Sequence, residues 1–349
     1  MADDTLLIVS TLTDDEGIFV YRMAGSDGQL ELVRQTAQFI SNPFFIDLHP
    51  RGDILYSITD PDGEGLVSAL SLDRASGELT LMNQQSTQGG YPCYVAVDPS
   101  GRSVVVANYE GGSVSSYPLA SDGSLGAAVS FFQHVGSSID TSRQQEPHAH
   151  CFKIASDGRF AFAADLGADQ VMIYALDAST GAMTPAEQPF ARVLAGGGPR
   201  HFTIAPDNRH AYVINELGNT ITTFAYDAAR GLLLEQGMVP TLPDGYDDVT
   251  HTADLALTPS GRFLYGTNRG HNSIAMFTRD VETGALTPNG IEPSRGVMPQ
   301  NLTITPDGKL LFIANTTGDN VVAFHIADSG KLEYSCETKM PAPVCAVLS

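Results

Sequence analysis

RHFTIAPDNRHAYVINELGNTITTFAYDAARGLLLE, residues 200–235, is the stretch from which the fold can be read. Residues 200–205 read as a strand, and Pro206-Asp207-Asn208 turns the chain, proline presetting φ and asparagine tolerating the positive φ after it. Residues 211–215 form a second run, rich in side chains that suit a pleated, half-buried surface. Residues 220–226 form a third, with the alternation expected of sheet. Asp227 to Gly231 is a hairpin turn, and residues 232–235 open a fourth strand.

The unit recurs. Its hairpin glycine, followed two residues later by Leu or Met, stands at Gly28, Gly77, Gly123, Gly181, Gly231, Gly284 and Gly330, with successive gaps of 49, 46, 58, 50, 53 and 46 residues. Short strands and turns repeating at that period mark a β-propeller. The expectation is an all-β, seven-bladed propeller with four antiparallel strands per blade, forming one domain over residues 1–349. The first turn of the unit, as in Asp98-Pro99-Ser100-Gly101 or Thr305-Pro306-Asp307-Gly308, occurs six times against seven hairpins. The mismatch predicts that the chain enters the ring inside a blade. Residues 6–12, 18–23 and 30–35 would then supply three strands of the seventh blade, and residues 344–348 its missing inner strand, so that no sheet edge is left open.

Composition narrows the partners. The formal charge is −21, which opposes binding to nucleic acid or anionic membranes. No run approaches the roughly 18 apolar residues of a membrane span. The first four residues lack the basic region of a secretory leader, so the expected compartment is the cytoplasm. Cys93, Cys151, Cys336 and Cys345 have no zinc-type spacing and read as reduced packing residues. Of the 19 basic residues only Lys153, Lys309, Lys331 and Lys339 are lysine; the others are arginine, which suits planar, bidentate recognition of anions.

In an antiparallel blade the start of the first strand and the end of the second lie at one mouth of the central channel. Three positions of the repeat point there. Seven residues past the first turn stand Thr59, Asn108, Asp165, Asn215, Asn268 and Asn315, a nearly uniform set that reads as loop-bonding scaffold, although such an Asn can also touch ligand. Eight residues past it stand Asp60, Tyr109, Leu166, Glu216, Arg269 and Thr316, and eight residues before it Phe44, Cys93, His150, Arg200, Ala253 and Gln300. These two positions differ from blade to blade, as an asymmetric small-molecule site requires. His148 stands two residues before His150, on the same face of an extended strand. One mouth is therefore expected to gather His148, His150, Arg200, His201, Glu216, Arg269 and His271 from three consecutive blades. His148-x-His150 has no third metal ligand at diagnostic spacing, and the chain has no phosphate loop, dinucleotide fingerprint or nucleophile elbow, so neither metal nor cofactor is expected.

Six segments carry a resemblance: ANYEGGSV (107–114), PHAH (147–150), DLGAD (165–169), GPRH (198–201), VINEL (213–217) and YGTNRG (265–270). Together they resemble the 6-phosphogluconolactonase family of seven-bladed propellers, within the superfamily of the carboxymuconate lactonizing enzyme. The likeness spans nearly the whole chain. It implies a metal-free lactonase acting on a small anionic sugar lactone, such as 6-phosphogluconolactone of the pentose phosphate pathway. Matching by position, it implies the catalytic set His148, Arg200, Glu216 and Arg269; His150, His201, His271, Tyr109 and Asn268, placed at the same mouth by the repeat, are the expected substrate contacts. Glu216 is the expected general base, with His148 as its competitor and as donor to the leaving ring oxygen; the arginines would hold the oxyanion or a phosphate. The alternatives are a lactonizing cycloisomerase and a non-catalytic ligand- or protein-binding propeller. A closed ring is expected to be a monomer.

Overall fold

The computed structural model describes residues 5–38 and 41–349; residues 1–4, weighed above for a leader, lie outside them. Seven four-stranded antiparallel sheets form a ring. Blades one to six run through residues 46–86, 92–133, 149–192, 199–240, 251–293 and 299–339. In the seventh, Pro343–Leu348 is the inner strand, beside Leu6–Thr11, Ile18–Ala24 and Gln29–Thr36. Leu7 pairs with Leu348 and Ser10 with Cys345, so the ring closes where the surplus hairpin requires.

Burial falls from the axis to the rim. The second strand of blade six, Leu310–Asn315, is buried throughout because sheets flank it on both faces, whereas the outermost strand Gln29–Thr36 has no fully buried residue. Apolar side chains fill the wedge between blades; the Phe162 and Phe202 rings of blades three and four stack with centroids 4.9 Å apart. The repeated hairpin glycine has a second task at this seam. The hydroxyls of Tyr56, Tyr212 and Tyr265 donate to the carbonyls of Gly123, Gly284 and Gly330 in the next blade, at 2.7, 2.8 and 2.9 Å. At Gly284 (φ +76°) and Gly330 (φ +78°) a Cβ would meet His210 or Phe263 of the preceding blade at 2.2 Å. Glycine thus serves both the left-handed turn and the close approach of two blades.

What positions the site is a ring of β-bulges. In blade four Pro199 pairs with Asn215 and His201 with Ile214, so Arg200 has no partner in the ladder. The same single-residue insertion strands Cys93 in blade two, His150 in blade three, Gln300 in blade six and Val344 in blade seven. Blade five has its extra residue between Thr252 and Leu255, at Ala253-Asp254. A bulge breaks the two-residue alternation and re-aims a side chain. Residues adjacent in sequence therefore both face the channel, at different depths. Phe44, Cys93, Arg200, Gln300 and Val344 line a cavity of about 300 Å³ at one mouth. Their successors Phe45, Tyr94, His201, Asn301 and Cys345 line a separate chamber of about 610 Å³ that reaches the turn face at Pro50, Pro206, Pro259 and Pro306.

Candidate active site

Glu216 lines the mouth cavity. Glu216 directly follows the second strand of blade four, His210–Asn215, and its side chain is 5 % exposed. Its Oε2 lies 2.9 Å from Arg200 Nε and 2.8 Å from Arg269 Nη2, and its Oε1 accepts a hydrogen bond from Arg143 Nη2 at 2.8 Å. Burial alone would push this carboxyl up, but Arg269, Arg200 and Arg143 together outweigh it and hold the group at about 2. Glu216 is therefore ionised at any working pH, with three cations around one anion.

The arginines are fixed by backbone carbonyls. Arg200 Nη1 donates to Ala253 O at 2.7 Å; Arg269 Nη2 donates to Thr252 O at 3.0 Å and its Nη1 to Gln300 Oε1 at 3.3 Å. Although Arg200 Nε is close to Glu216, its N–H is not aimed at the carboxylate and has no hydrogen-bond partner. Burial, then the charge of Arg269, lowers the Arg200 guanidinium to about 10, which leaves it charged at neutral pH.

Arg143 was not expected from the sequence. It sits in the segment between the outer strand of blade two, Ser130–Gln133, and the inner strand of blade three, Ala149–Ile154, which accounts for the widest gap between hairpin glycines. Gln144 anchors that segment: fully buried, it donates to Leu166 O at 2.8 Å and Asp169 Oδ1 at 2.7 Å. Arg143 itself remains 36 % exposed at the rim and also donates to the Tyr109 hydroxyl at 3.0 Å. The 58-residue gap was the available signal.

The other expected residues divide. His150 and Tyr109 line the cavity with Arg200, Glu216 and Arg269. Burial, then Arg200 and His201, holds the His150 imidazole well below its ordinary range, so it is neutral. Cys93 beside it is likewise an uncharged thiol, raised by burial. His148 does not share the face of His150, because the bulge between Ala149 and Cys151 intervenes. Its ring stacks on Tyr109 at 4.5 Å and its Nδ1 donates to Tyr109 O at 3.0 Å, so it backs the wall instead of lining it. His201 faces the turn-side chamber. Asn268 is fully buried, donating to Thr241 O and Ser273 Oγ at 3.0 and 3.1 Å, the scaffold use of that repeat position. His271 packs edge-on against Tyr246 at 4.6 Å and pairs with Ser273 Oγ at 2.7 Å; it too is absent from the cavity wall.

Among the described residues no three His, Cys, Asp or Glu side chains converge in a way that could hold a metal ion, and no helix is long and apolar enough to cross a membrane. What the cavity can do is bind an anion or a developing oxyanion beside a neutral imidazole. Comparison with known proteins agrees with that chemistry. The family model described as "Lactonase, 7-bladed beta-propeller" matches residues 6–348. A 6-phosphogluconolactonase of Bacillus subtilis is 33 % identical over 332 residues, covering 95 % of this chain and 93 % of that protein. A crystal structure of a candidate 6-phosphogluconolactonase from Bacteroides fragilis superposes with a TM-score of 0.92 at 31 % identity, over 100 % and 99 % of the two chains. The periplasmic gluconolactonase of Pseudomonas aeruginosa superposes equally well, at 0.92 and 29 % identity over 99 % and 98 %. With its ring of seven sheets and its arginine-lined mouth, this chain belongs to the lactonase family of seven-bladed β-propellers.

Proposed function

We propose that this chain hydrolyses a phosphorylated sugar lactone, 6-phosphogluconolactone to 6-phosphogluconate, the lactone-opening step of the pentose phosphate pathway. The observation that carries the reading is the charge of the cavity: three guanidinium groups around one carboxylate, in a chain whose formal charge is −21. Such a local excess draws in an anionic substrate and stabilises an oxyanion. The volume, about 300 Å³, falls at the small end of ligand pockets, which run to about 1,000 Å³. Names of relatives that describe gluconolactone chemistry support the same substrate class.

Water adds to the lactone carbonyl and gives up a proton, the carbonyl oxygen takes up negative charge, and the C1–ring oxygen bond then breaks, the ring oxygen becoming a hydroxyl with the proton that the water released, handed across by His150. Arg200 and Arg269, held by backbone carbonyls of blade five, face the developing oxyanion. Arg143, on the rim, pairs with the phosphate. A carboxylate held at about 2 is a weak proton acceptor, so Glu216 serves to array the arginines. The neutral His150, on the cavity wall, accepts the hydrogen bond of the attacking water; His148 holds Tyr109 in place. The four unpaired cysteines suit a cytoplasmic setting, and the closed ring a monomer. The test is the loss of 6-phosphogluconolactone at slightly acidic pH, where spontaneous opening is slow. Turnover well above background is expected; a rate equal to background would overturn the reading.

A further inference from the structure

His201 faces away from the mouth cavity, yet it touches the guanidinium on which that cavity depends. Arg200 Nη1 lies 3.3 Å from His201 Nε2. A guanidinium has only donors, so Nε2 is the acceptor and the imidazole proton sits on Nδ1. That nitrogen lies 2.7 Å from Asp254 Oδ1. The carboxylate is itself pinned: Oδ1 accepts from Leu255 N at 2.8 Å, and Oδ2 from Asn301 Nδ2 at 2.7 Å and Leu302 N at 3.0 Å. The rings of Tyr94 and His150 stand edge-on to His201, with centroids 5.2 and 5.4 Å away, and fix the plane of the imidazole. Ala253, in the same bulge as Asp254, receives the other hydrogen bond from Arg200 Nη1.

We propose that His201 and Asp254 are positioning residues for Arg200: a chain of hydrogen bonds from blade six through blade five to blade four that holds the guanidinium with its Nε edge toward the mouth cavity. Arg200 Nη1 is held directly by Ala253 O and, through His201, by Asp254 of the same blade-five bulge, while Nε lies 2.9 Å from Glu216 Oε2 with no hydrogen-bond partner among the described residues. The tautomer of His201 is part of the device. With the proton on Nε2 the imidazole would confront the guanidinium donor to donor, and Arg200 would turn away. A misplacement of about 1 Å at a group that acts on the substrate can cost about 100-fold in rate. The role in turnover rests on the lactonase reading above; the tautomer does not.

Two variants and one spectroscopic measurement test this. His201→Phe keeps a ring in the aromatic cluster and removes the acceptor; His201→Gln retains a side-chain acceptor. On 6-phosphogluconolactone, kcat of His201→Phe should fall by about tenfold or more, with KM changed less than about twofold, and His201→Gln should recover most of the loss. Unfolding midpoints of both should stay near that of the unaltered protein. Side-chain 15N NMR of His201 in the unaltered protein should show the Nδ1–H tautomer, and Asp254→Asn should deplete it. Full turnover in His201→Phe, or an Nε2–H tautomer in the unaltered protein, overturns the proposal. If the unaltered chain opens no lactone, the proposed function fails, and the NMR measurement still decides whether the hydrogen-bond chain exists. It also decides if a variant does not fold.

Discussion

Two arginines are buried almost equally in this ring, and they are used in opposite ways. Arg279, at the turn face, has a side chain 1 % exposed and bonds through all three nitrogens: Nε to Tyr212 Oη at 2.7 Å, Nη1 to Gly261 O at 3.2 Å, and Nη2 to Asp207 Oδ2 at 2.5 Å and His210 Nδ1 at 2.9 Å. Arg200, at the mouth, is 2 % exposed and leaves Nε without a hydrogen bond. The difference extends to charge. Burial works against the cation in both; at Arg279 the Asp207 and Tyr212 contacts outweigh it, whereas Arg200 is lowered to about 10, with Arg269 adding to the effect of burial. A buried donor without an aligned acceptor is costly to stability, and at Arg200 the ion pair with Glu216 offsets part of that cost. Arg279 joins blades; Arg200 sets its Nε against the Glu216 carboxylate at the mouth cavity, 2.9 Å from Oε2.

The comparison can be broken most directly at Arg200. Arg200→Met should lower kcat on the lactone by roughly 100-fold, about 3 kcal/mol of transition-state stabilisation, while Glu216 keeps Arg269 and Arg143 as partners. A variant that kept its activity would make Arg200 a structural residue like Arg279. Arg279→Met should do the reverse: it should cost about 2 kcal/mol of stability in denaturant titration, since Asp207 and Tyr212 lose their partner, while kcat/KM of the folded enzyme stays within about twofold. Arg143→Met should raise KM for the phosphorylated lactone about tenfold, roughly 1.4 kcal/mol, and scarcely alter KM for the same lactone without phosphate. An equal rise for both would move the phosphate site elsewhere.

The smallest expected effect is a missing one. Glu216 is depressed from 4.5 to about 2, so its carboxylate does not titrate between pH 4 and 6 and kcat/KM should show no step from it there. The sign for stability follows. A depressed carboxyl contributes fully above its unfolded value of 4.5, and the contribution is withdrawn as pH falls from there through about 2. The stability gap between the unaltered protein and Glu216→Gln should therefore be widest above pH 5 and close in acid. A gap independent of pH would mean that the arginines do not act on this group.

Blade count, the strands of each unit and the split seventh blade were legible because a turn is written in local residues: Gly284 and Gly330 are required both by φ and by contact, and a repeat of such positions survives reading. Glu216, Arg200 and Arg269 were legible as departures from that repeat. The bulges were not. An inserted residue at Ala149–Cys151 leaves the alternation of side chains looking intact in the sequence while reversing the facing of what precedes it, and so His148 and His150 were expected together. The same effect sent His201 to the second chamber and Arg200 to the first. Arg143 lay in a segment with no equivalent in other blades, where comparison by position has nothing to compare. Asn268 was expected as a substrate contact although its uniform column pointed to scaffold, and it spends its amide on Thr241 O and Ser273 Oγ.

The seam between Leu6–Thr11 and Pro343–Leu348 sets a timetable for the nascent chain. The Leu6 amide reaches a hydroxyl 343 residues away, at Ser349. During synthesis Leu6–Thr11 can pair at once with Ile18–Ala24, but its inner edge stays open until Pro343–Leu348 has emerged, and contacts of such long range form late and slowly. Val344, which walls the mouth cavity, arrives with the same closing strand. A ribosome-bound fragment that lacks Pro343–Leu348 can thus stack most of its blades yet has no finished mouth cavity, because one of its walls is still missing.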